Sequence, residues 1–243
     1  MKVTPKTPPA IIDDFIAPPC YGEIRILYQD EDMLLIDKPS GLLSLSGKNP
    51  LNKDSVHYRL VQGQLKGPGV EQERQAFPTA TLVHRLDFGT SGIMVAALNK
   101  RANSLLSKQF QARTVSKCYI AILEGQLRED QGFIELPIAK DKPNFPLQKI
   151  CLDTGKPARS DYQVLERLQQ PACCRVRFVP QTGRTHQLRI HSLEIGHPIL
   201  GCDLYKNARS EQMAERLLLH ANELQLDHPS SGERIYGHSP CPF

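Results

Sequence analysis

The spacing of hydrophobic residues changes along the chain and predicts both strands and helices. Ile24, Ile26 and Tyr28 alternate with polar residues, a period of two that is typical of a half-buried strand. Short apolar runs at 33–36 and 92–98 are typical of strands that are buried on both faces. Further segments that favour strands lie at 117–123, 133–138, 160–168, 174–179 and 217–226.

Three segments have the spacing of amphipathic helices. Asp54 or Ser55 can cap the first helix, and Asn99 can cap a second helix that continues to about Ala112. A third helix is predicted at 185–195. Because the helices interrupt the strands irregularly and form no repeating βαβ unit, we predict an α+β fold with a large mixed or antiparallel sheet, flanked by helices and loops.

The beginning of the chain is rich in proline, which has no backbone donor and restricts the residue before it. We therefore expect residues 1–21 to form a poorly ordered extension and residues 22–243 to form one domain. Within that domain, residues 63–79 are rich in Gly, Gln and Pro and predict a loop. No signal peptide or membrane-spanning apolar run is visible, so we expect a cytoplasmic protein with no membrane partner.

Composition narrows the function only slightly. The net charge of +4 comes from 30 basic and 26 acidic residues, which permits an RNA partner without requiring one. The seven cysteines are odd in number and include no Cys-x-x-Cys, which argues against a disulfide framework and against a structural zinc site.

One candidate for chemistry is Asp87, in the turn-rich segment 84–92 just before an apolar strand. A carboxylate on such a loop can project into a cleft while the strand fixes its backbone. The residues alone leave two other interpretations open. Asp87 can be an ordinary turn residue, or it can form a hydrolytic triad with His84 and Ser91, although no Gly-x-Ser-x-Gly motif supports a hydrolase.

A second candidate is the segment 183–191, with two Arg and two His residues around the start of the predicted third helix. Helix N-termini and Arg side chains both bind anions, although an exposed, capped helix explains the pattern too. His186 and His191 are five residues apart, which misses the i, i+4 spacing of two metal ligands on one helical face. We therefore expect no metal site.

Six segments in chain order resemble motifs of the RluA family of pseudouridine synthases, and together they extend from about Glu23 to the C-terminus. The six segments are 38–44 (KPSGLLS), 84–92 (HRLDFGTSG), 117–119 (KCY), 183–191 (GRTHQLRIH), 197–201 (HPILG) and 217–221 (LLLHA). The resemblance implies the pseudouridine synthase fold and an enzyme that isomerises uridine in structured RNA.

The resemblance also implies a catalytic role for Asp87. Pseudouridylation breaks the N1–C1′ bond, turns the uracil and joins its C5 to C1′, so no atom is lost and no redox step occurs. We therefore expect no cofactor. The uracil can leave as a delocalised anion, so one carboxylate can suffice where glycosidases use two. Asp87 either attacks the sugar or removes a ribose proton, and the sequence leaves both routes open.

Other matching residues receive supporting roles from the family. Arg184 is expected to pair with Asp87, although a phosphate contact is an alternative. Tyr119 would stack on the uracil and assist proton removal from C5, and Lys117 lies on the same strand face. Arg85 would fill the space that the flipped base leaves.

Three further residues of these motifs are weaker candidates for the site. His84 is expected to shape the Asp87 loop by hydrogen bonding rather than to donate a proton. Gln187 and Arg189 belong to the same motif as Arg184 and are expected to support substrate binding or catalysis.

The RNA target follows from a finer resemblance. Many relatives carry an S4-type domain before the catalytic domain, and this chain has no room for one. Segments 143–149 and 155–158 resemble the compact RluA branch, which modifies position 32 in the anticodon arm of tRNA and position 746 of 23S rRNA. A different tRNA or rRNA uridine, or a non-catalytic RNA-binding or assembly role, remains an alternative. We also expect a monomer.

Overall fold

The computed structural model describes residues 15–69 and 75–243, so residues 1–14 of the expected extension and 70–74 of the expected loop lie outside the described residues. The strands are β1 (Arg25–Gln29), β2 (Met33–Lys38), β3 (Thr81–Leu82), β4 (Ser91–Ala97), β5 (Ser116–Glu124), β6 (Gln131–Glu135), β7 (Ile138–Lys140), β8 (Gln148–Ile150), β9 (Arg159–Gln169), β10 (Ala172–Pro180), β11 (Leu219–Asp227) and β12 (Arg234–His238). The α-helices are α1 (Val56–Gln62), α2 (Lys100–Ala112) and α3 (Gln187–Glu194). None of these helices is long and apolar enough to cross a bilayer.

Ten strands form one large mixed sheet, and the expected α+β fold is confirmed. The order is β1-β2-β4-β11-β5-β10-β9-β6, with β3 also paired to β4 and β12 to β11. Strands β4 and β11 are parallel, and the other neighbours are antiparallel. Strands β7 and β8 form a separate hairpin. The sequence did not predict β3, the β7–β8 hairpin or β12.

The parallel pair β4–β11 brings the two backbones unusually close at the centre of the sheet. Gly92 lies opposite Ala221 in the register and has a φ of 114°. A Cβ atom at Gly92 would lie 2.2 Å from the Ala221 carbonyl oxygen. Only glycine fits this position, because both the backbone conformation and the contact exclude a side chain.

The described residues form two large hydrophobic cores, and strand β11 contributes residues to both. One core packs β2 and β4 against α1 and α2, and the other packs β5 and β10 against α3. The ring of Tyr119 on β5 contacts both cores. The junction of the two cores is therefore where residues from distant parts of the chain meet.

Both predicted caps are confirmed, because Ser55 accepts the Tyr58 N–H and Asn99 accepts the Ala102 N–H. Two predicted elements differ from the structure. The strand expected at 133–138 is divided between β6 and β7, because Pro137 cannot donate to a strand ladder. The third helix begins at Gln187 instead of 185, since the preceding turn is held by its own hydrogen bonds.

The expectation of poor order up to residue 21 is wrong for residues 15–21. The side-chain amide of Asn52 donates to the Phe15 carbonyl at 2.7 Å. The ring of Phe15 meets the Phe88 ring edge-on, with centroids 5.4 Å apart. This extended segment therefore packs onto the domain beside the loop that carries Asp87.

Candidate active site

Two serine hydroxyls of the segment 38–44 hold the loop that carries Asp87 in place. The Ser44 hydroxyl donates to the Leu86 carbonyl at 2.7 Å and accepts the Leu86 N–H at 3.1 Å. On the other side of Asp87, the Ser40 hydroxyl donates to the Gly89 carbonyl at 2.7 Å. The backbone is thus held on both sides of the carboxylate.

The buried amino group of Lys38 adds further hydrogen bonds to the Asp87 loop. Its Nζ donates to the carbonyls of Leu42 at 2.7 Å, Pro39 at 2.9 Å and Phe88 at 3.2 Å, so each proton of the ammonium has an acceptor. Burial lowers the pKa of Lys38 to about 7. The side chain therefore joins the segment 38–44 to the Asp87 loop.

His84 has a structural place in the same loop. Its Nε2 accepts the Val95 N–H at 3.0 Å, and its ring stacks on Phe110 at 4.7 Å. Burial and the nearby Lys117 charge lower the pKa of His84 to about 3, so the ring is neutral at physiological pH. These contacts use Nε2 and a face of the ring to shape the loop, as the sequence analysis expects for His84.

The alternative hydrolytic triad is not assembled. The Ser91 hydroxyl lies 2.9 Å from Nδ1 of His220 and accepts a hydrogen bond from Arg216 at 2.6 Å. The acceptor nitrogen of His84 is already used by the backbone of Val95. Because neither His84 nor Ser91 bonds to Asp87, the three residues cannot relay a proton.

Two donors flank the Asp87 carboxylate. The Asp87 side chain is 26% exposed. Nη1 of Arg189 lies 3.6 Å from Oδ2, and Nε2 of His186 lies 3.9 Å from Oδ1. Arg189 is almost fully buried on α3 and also pairs with Asp203. Each oxygen of the carboxylate therefore faces one donor, while the remaining surface stays open to solvent.

The cation beside Asp87 is Arg189, and the expected pairing with Arg184 is wrong. Nε of Arg184 donates to the Pro157 carbonyl at 3.1 Å. Arg184 lies in the turn before α3 and faces the chain that leads into β9, whereas Arg189 lies in the first turn of the helix and faces Asp87. The expected pairing came from the family resemblance, which was assigned to the first arginine of the segment 183–191 instead of the second.

Burial and several nearby charges affect the pKa of His186. Burial lowers the pKa of His186, Asp87 opposes this change, and the cations Arg189 and Arg85 add to it. The ring is therefore neutral at physiological pH. Arg85 itself is exposed, two residues before Asp87, where its side chain can reach a substrate.

Tyr119 and Lys117 lie on the same face of β5, as the sequence predicts. Tyr119 is half-buried, and burial together with Asp87 raises the pKa of its hydroxyl. That hydroxyl makes no hydrogen bond to any residue that the structure describes. Burial and Arg113 lower the pKa of Lys117, whose ammonium lies beside the turn at Gly183.

Gln187 uses its whole amide to build the turn before α3. Its oxygen accepts the Thr182 hydroxyl at 2.7 Å and the Arg184 N–H at 3.0 Å. Its nitrogen donates to the Arg159 carbonyl at 2.9 Å and to the Ser160 hydroxyl at 3.0 Å. With these bonds made, Gln187 supports the site only through the backbone geometry of the turn.

Tyr205 is a site residue that the sequence did not predict. Its Oη lies 2.7 Å from the Gln148 backbone nitrogen and 2.9 Å from Nδ1 of His186. The guanidinium of Arg189 lies over its ring, 5.4 Å from the centroid. Burial raises the pKa of Tyr205 to about 12. The only sequence signal was its position four residues after the 197–201 motif.

No group of three or more His, Cys, Asp or Glu residues within the described ranges could hold a metal ion. His191, one of the two histidines considered as ligands, lies with Nδ1 3.0 Å from the Ser160 hydroxyl and Nε2 3.0 Å from the Leu136 carbonyl. Both of its ring nitrogens therefore serve the fold.

The sequence of residues 32–194 matches the protein family described as RNA pseudouridylate synthase. This chain belongs to that family. The pseudouridine synthase is 46% identical to the dual-specificity RNA pseudouridine synthase RluA of Yersinia pestis over 87% of the chain and 96% of the relative. It is 42% identical to the protein of the same name from Escherichia coli K12, over 93% of the chain and 97% of the relative.

The fold of the synthase is likewise that of its relatives. The structure of human RNA pseudouridylate synthase domain containing 1 superimposes with a TM-score of 0.71 at 29% identity, over 93% of this chain and 86% of the human one. The family resemblance, the fold and the enzyme class expected from the sequence are therefore confirmed: the protein is an isomerase that acts on uridine in RNA.

Proposed function

We propose that this synthase modifies two stem-loops, the tRNA anticodon arm at position 32 and a 23S rRNA hairpin at position 746. The resemblance of segments 143–149 and 155–158 to the RluA branch supports these targets. The relatives that are named dual-specificity enzymes support two substrates for one site. We further propose that it acts as a cytoplasmic monomer. We also propose that it needs no metal or organic cofactor, because the isomerisation needs no redox or group-transfer partner.

The observation that carries the proposal is the environment of Asp87. Its partly exposed carboxylate is flanked by Arg189 and His186 at the junction of the two cores. A buried guanidinium is weakly screened by solvent and stabilises a carboxylate in a fixed orientation. Asp87 therefore has the charge, the access and the orientation that a single catalytic carboxylate needs.

In the proposed reaction, the bond between N1 and C1′ breaks and its electron pair leaves with the uracil. Asp87 either forms a bond to C1′, which breaks again when C5 of the turned uracil bonds to C1′, or takes a proton from C2′, which returns to C2′ when C5 bonds to C1′. The proton on C5 is then removed and N1 gains a proton. Tyr119, whose hydroxyl is not used by the fold, is proposed to stack on the uracil and to assist the removal of the C5 proton.

The remaining residues are proposed to bind RNA. A base in a stack must be flipped out at a cost of a few kcal/mol, which is smaller in a loop than in a duplex. Arg85 is exposed beside Asp87 and can fill the vacated space, while Lys117 and Arg184 can bind phosphates. These roles suit a protein that recognises the shape of a stem-loop.

The hairpin β7–β8 provides a second surface for RNA. Phe145 at its tip is 56% exposed, and the hairpin also carries three exposed lysines, Lys140, Lys142 and Lys149. An exposed aromatic ring stacks on unpaired bases, and lysines bind the backbone. The hairpin reaches the site directly, because the backbone of Gln148 bonds to Tyr205.

The proposal is tested with unmodified transcripts of the two stem-loops. Wild type and Asp87→Asn would be incubated with each RNA, and pseudouridine would be mapped by carbodiimide-dependent stops of reverse transcriptase. Glu31→Gln, which removes a carboxylate charge from the exposed turn between β1 and β2, is the matched control. RNA affinity would be measured for all three proteins by fluorescence anisotropy.

We expect product on both RNAs with wild type and Glu31→Gln, and no product with Asp87→Asn despite unchanged RNA affinity. Product on only one RNA would narrow the target and contradict dual specificity. No product on either RNA would contradict both targets and favour another uridine. If Asp87→Asn still binds RNA and still supports growth of cells that lack the wild-type protein, the non-catalytic assembly role would be favoured.

A further inference from the structure

His186 has an unusual backbone conformation for a residue at the start of a helix. Its φ is 56°, in the left-handed region, whereas a residue that caps a helix is normally extended. Its side chain also makes no capping hydrogen bond to α3. Unfavourable conformations of this kind are typical of functional sites. Here the conformation directs the ring towards Asp87 instead of towards the helix.

The hydrogen bonds of Tyr205 favour one position for the proton of His186. The Tyr205 oxygen accepts the backbone N–H of Gln148 at 2.7 Å. Its own proton is then available for Nδ1 of His186, 2.9 Å away. When the Tyr205 hydroxyl donates to Nδ1, the proton of the neutral ring is on Nε2. That atom is the one that faces Asp87.

Tyr205 also positions the second donor beside Asp87. The Arg189 guanidinium lies over the Tyr205 ring at 5.4 Å and approaches Oδ2 of Asp87 at 3.6 Å. Nε2 of His186 approaches the other oxygen, Oδ1, at 3.9 Å. A single buried tyrosine thus contacts both groups that flank the carboxylate.

We propose that Tyr205 and His186 are positioning residues for Asp87, an inference that rests on the proposed function of this site. The Tyr205 hydroxyl holds His186 in the tautomer with the proton on Nε2, and this N–H donates to Oδ1 when RNA closes the site. The distance of 3.9 Å is just beyond hydrogen-bond range, and such bonds commonly shorten when substrate binds. Oδ2 remains with Arg189, so the carboxylate has one orientation.

The arrangement also connects Asp87 to the β7–β8 hairpin. The acceptor side of Tyr205 is occupied by the backbone of Gln148, the first residue of β8. A displacement of β8 would therefore move the hydroxyl that orients His186. In this way the hairpin that carries Phe145 acts on the geometry of the carboxylate as well as on RNA affinity.

The test measures single-turnover rates, RNA affinity and melting temperature on the tRNA stem-loop. Tyr205→Phe removes only the hydroxyl and keeps the ring under Arg189. His186→Asn removes the ring, and Asn is the non-glycine residue that best tolerates the left-handed conformation. Tyr28→Phe is the matched control, because it removes a tyrosine hydroxyl that donates to Asp30 on the surface at 2.6 Å.

We expect Tyr205→Phe and His186→Asn each to lower the rate by roughly 10- to 100-fold, the scale for a misplaced catalytic group. RNA affinity should stay at the wild-type value, and the melting temperature should fall by no more than about 10 °C, because each variant removes only one or two hydrogen bonds of the fold. The double variant should be no slower than His186→Asn, because the hydroxyl acts through the ring. Losses that multiply in the double variant, or losses of RNA affinity instead of rate, would overturn the proposal.

Nitrogen NMR of the histidines in the free enzyme tests the tautomer without RNA. Wild-type His186 should carry its proton on Nε2, and Tyr205→Phe should shift the population towards Nδ1. A wild-type ring protonated on Nδ1 would refute the orienting role. If wild type makes no pseudouridine on either stem-loop, the proposed targets fail, and this spectrum still decides whether Tyr205 orients His186.

Discussion

The guanidinium of Arg189 lies between two carboxylates, with Nη1 3.6 Å from Oδ2 of Asp87 and Nη2 donating to Asp203. Although burial opposes the charge, Cys202, Asp87 and Asp203 together raise the pKa of Arg189. The Arg189 side chain therefore remains charged at physiological pH and is held in place by its two ion pairs. It provides a fixed positive potential at Asp87, the carboxylate that we propose for the reaction.

The first prediction separates the role of Arg189 from that of Arg184. The sequence analysis assigned the pairing with Asp87 to Arg184, whereas Arg189 makes it in the structure. Arg189→Gln should lower the single-turnover rate by about 100- to 1000-fold, the scale for removing one electrostatic donor from a catalytic site. Arg184→Gln should lower the rate less than about tenfold and weaken RNA binding, with a smaller dependence of affinity on salt. Rates and anisotropy on the same stem-loop give both quantities. Equal loss of rate in the two variants would contradict the assignment.

Tyr119→Phe keeps the ring on which we propose that the uracil stacks, and it removes the hydroxyl. We expect RNA affinity to be unchanged and the rate to fall by roughly 100- to 10,000-fold, as for the loss of a general acid–base group. The measurement uses stem-loops that carry deuterium at C5 of the target uridine. The isotope effect should be larger in Tyr119→Phe than in wild type, because removal of the C5 proton becomes rate-limiting. A variant that turns over at the wild-type rate would exclude this role.

Gly92→Ala tests the close contact between β4 and β11. The variant should lose at least roughly 3 kcal/mol of unfolding free energy, because both the backbone conformation and the Ala221 carbonyl oppose a Cβ. Gly196→Ala is the matched control. Gly196 also has a positive φ, of 82°, but an added Cβ would meet no atom within 4 Å, so its cost should be about 1 kcal/mol. Urea unfolding measures both, and equal costs would show that the contact is unimportant.

His84 should make the fold sensitive to acid. The pKa of His84 is about 3 in the folded protein against an ordinary value of 6.5, so between these values only the unfolded chain binds the proton. Stability from this group is fully present above pH 6.5 and falls with pH, by up to about 2 kcal/mol between pH 7 and pH 5. His84→Gln keeps an acceptor for the Val95 N–H without titrating. Urea unfolding at both pH values should therefore show a smaller decrease in the variant, and an identical decrease would contradict the prediction.

Elements with a local cause were predictable from the sequence. Strands β2 and β4 are buried on both faces, and each therefore appears as a short apolar run. The caps of α1 and α2 involve residues three positions apart in the sequence. The catalytic role proposed for Asp87, in contrast, came from the order of six motifs, since the residues around it also suit an ordinary turn.

The features that the sequence did not predict depend on distant contacts. Arg184 and Arg189 belong to one motif, and only the start of α3 determines which of them faces Asp87. Tyr205 lies in a segment with no regular period, and its function is visible only when Gln148 and His186 are brought to its hydroxyl. The pairing of Ser91 with His220 spans 129 residues, which no local pattern can indicate.

The position of β11 has a consequence for the synthesis of this protein. The strand is inserted between β4 and β5, although the ribosome makes it about a hundred residues after β5. Until residue 227 has left the exit tunnel, β4 and β5 expose unpaired edges, and the two cores cannot come together. A nascent chain therefore holds Asp87 without a completed site around it. Completion of the site must therefore wait until residues 219–227 have been made, although Asp87 itself is synthesised well before them.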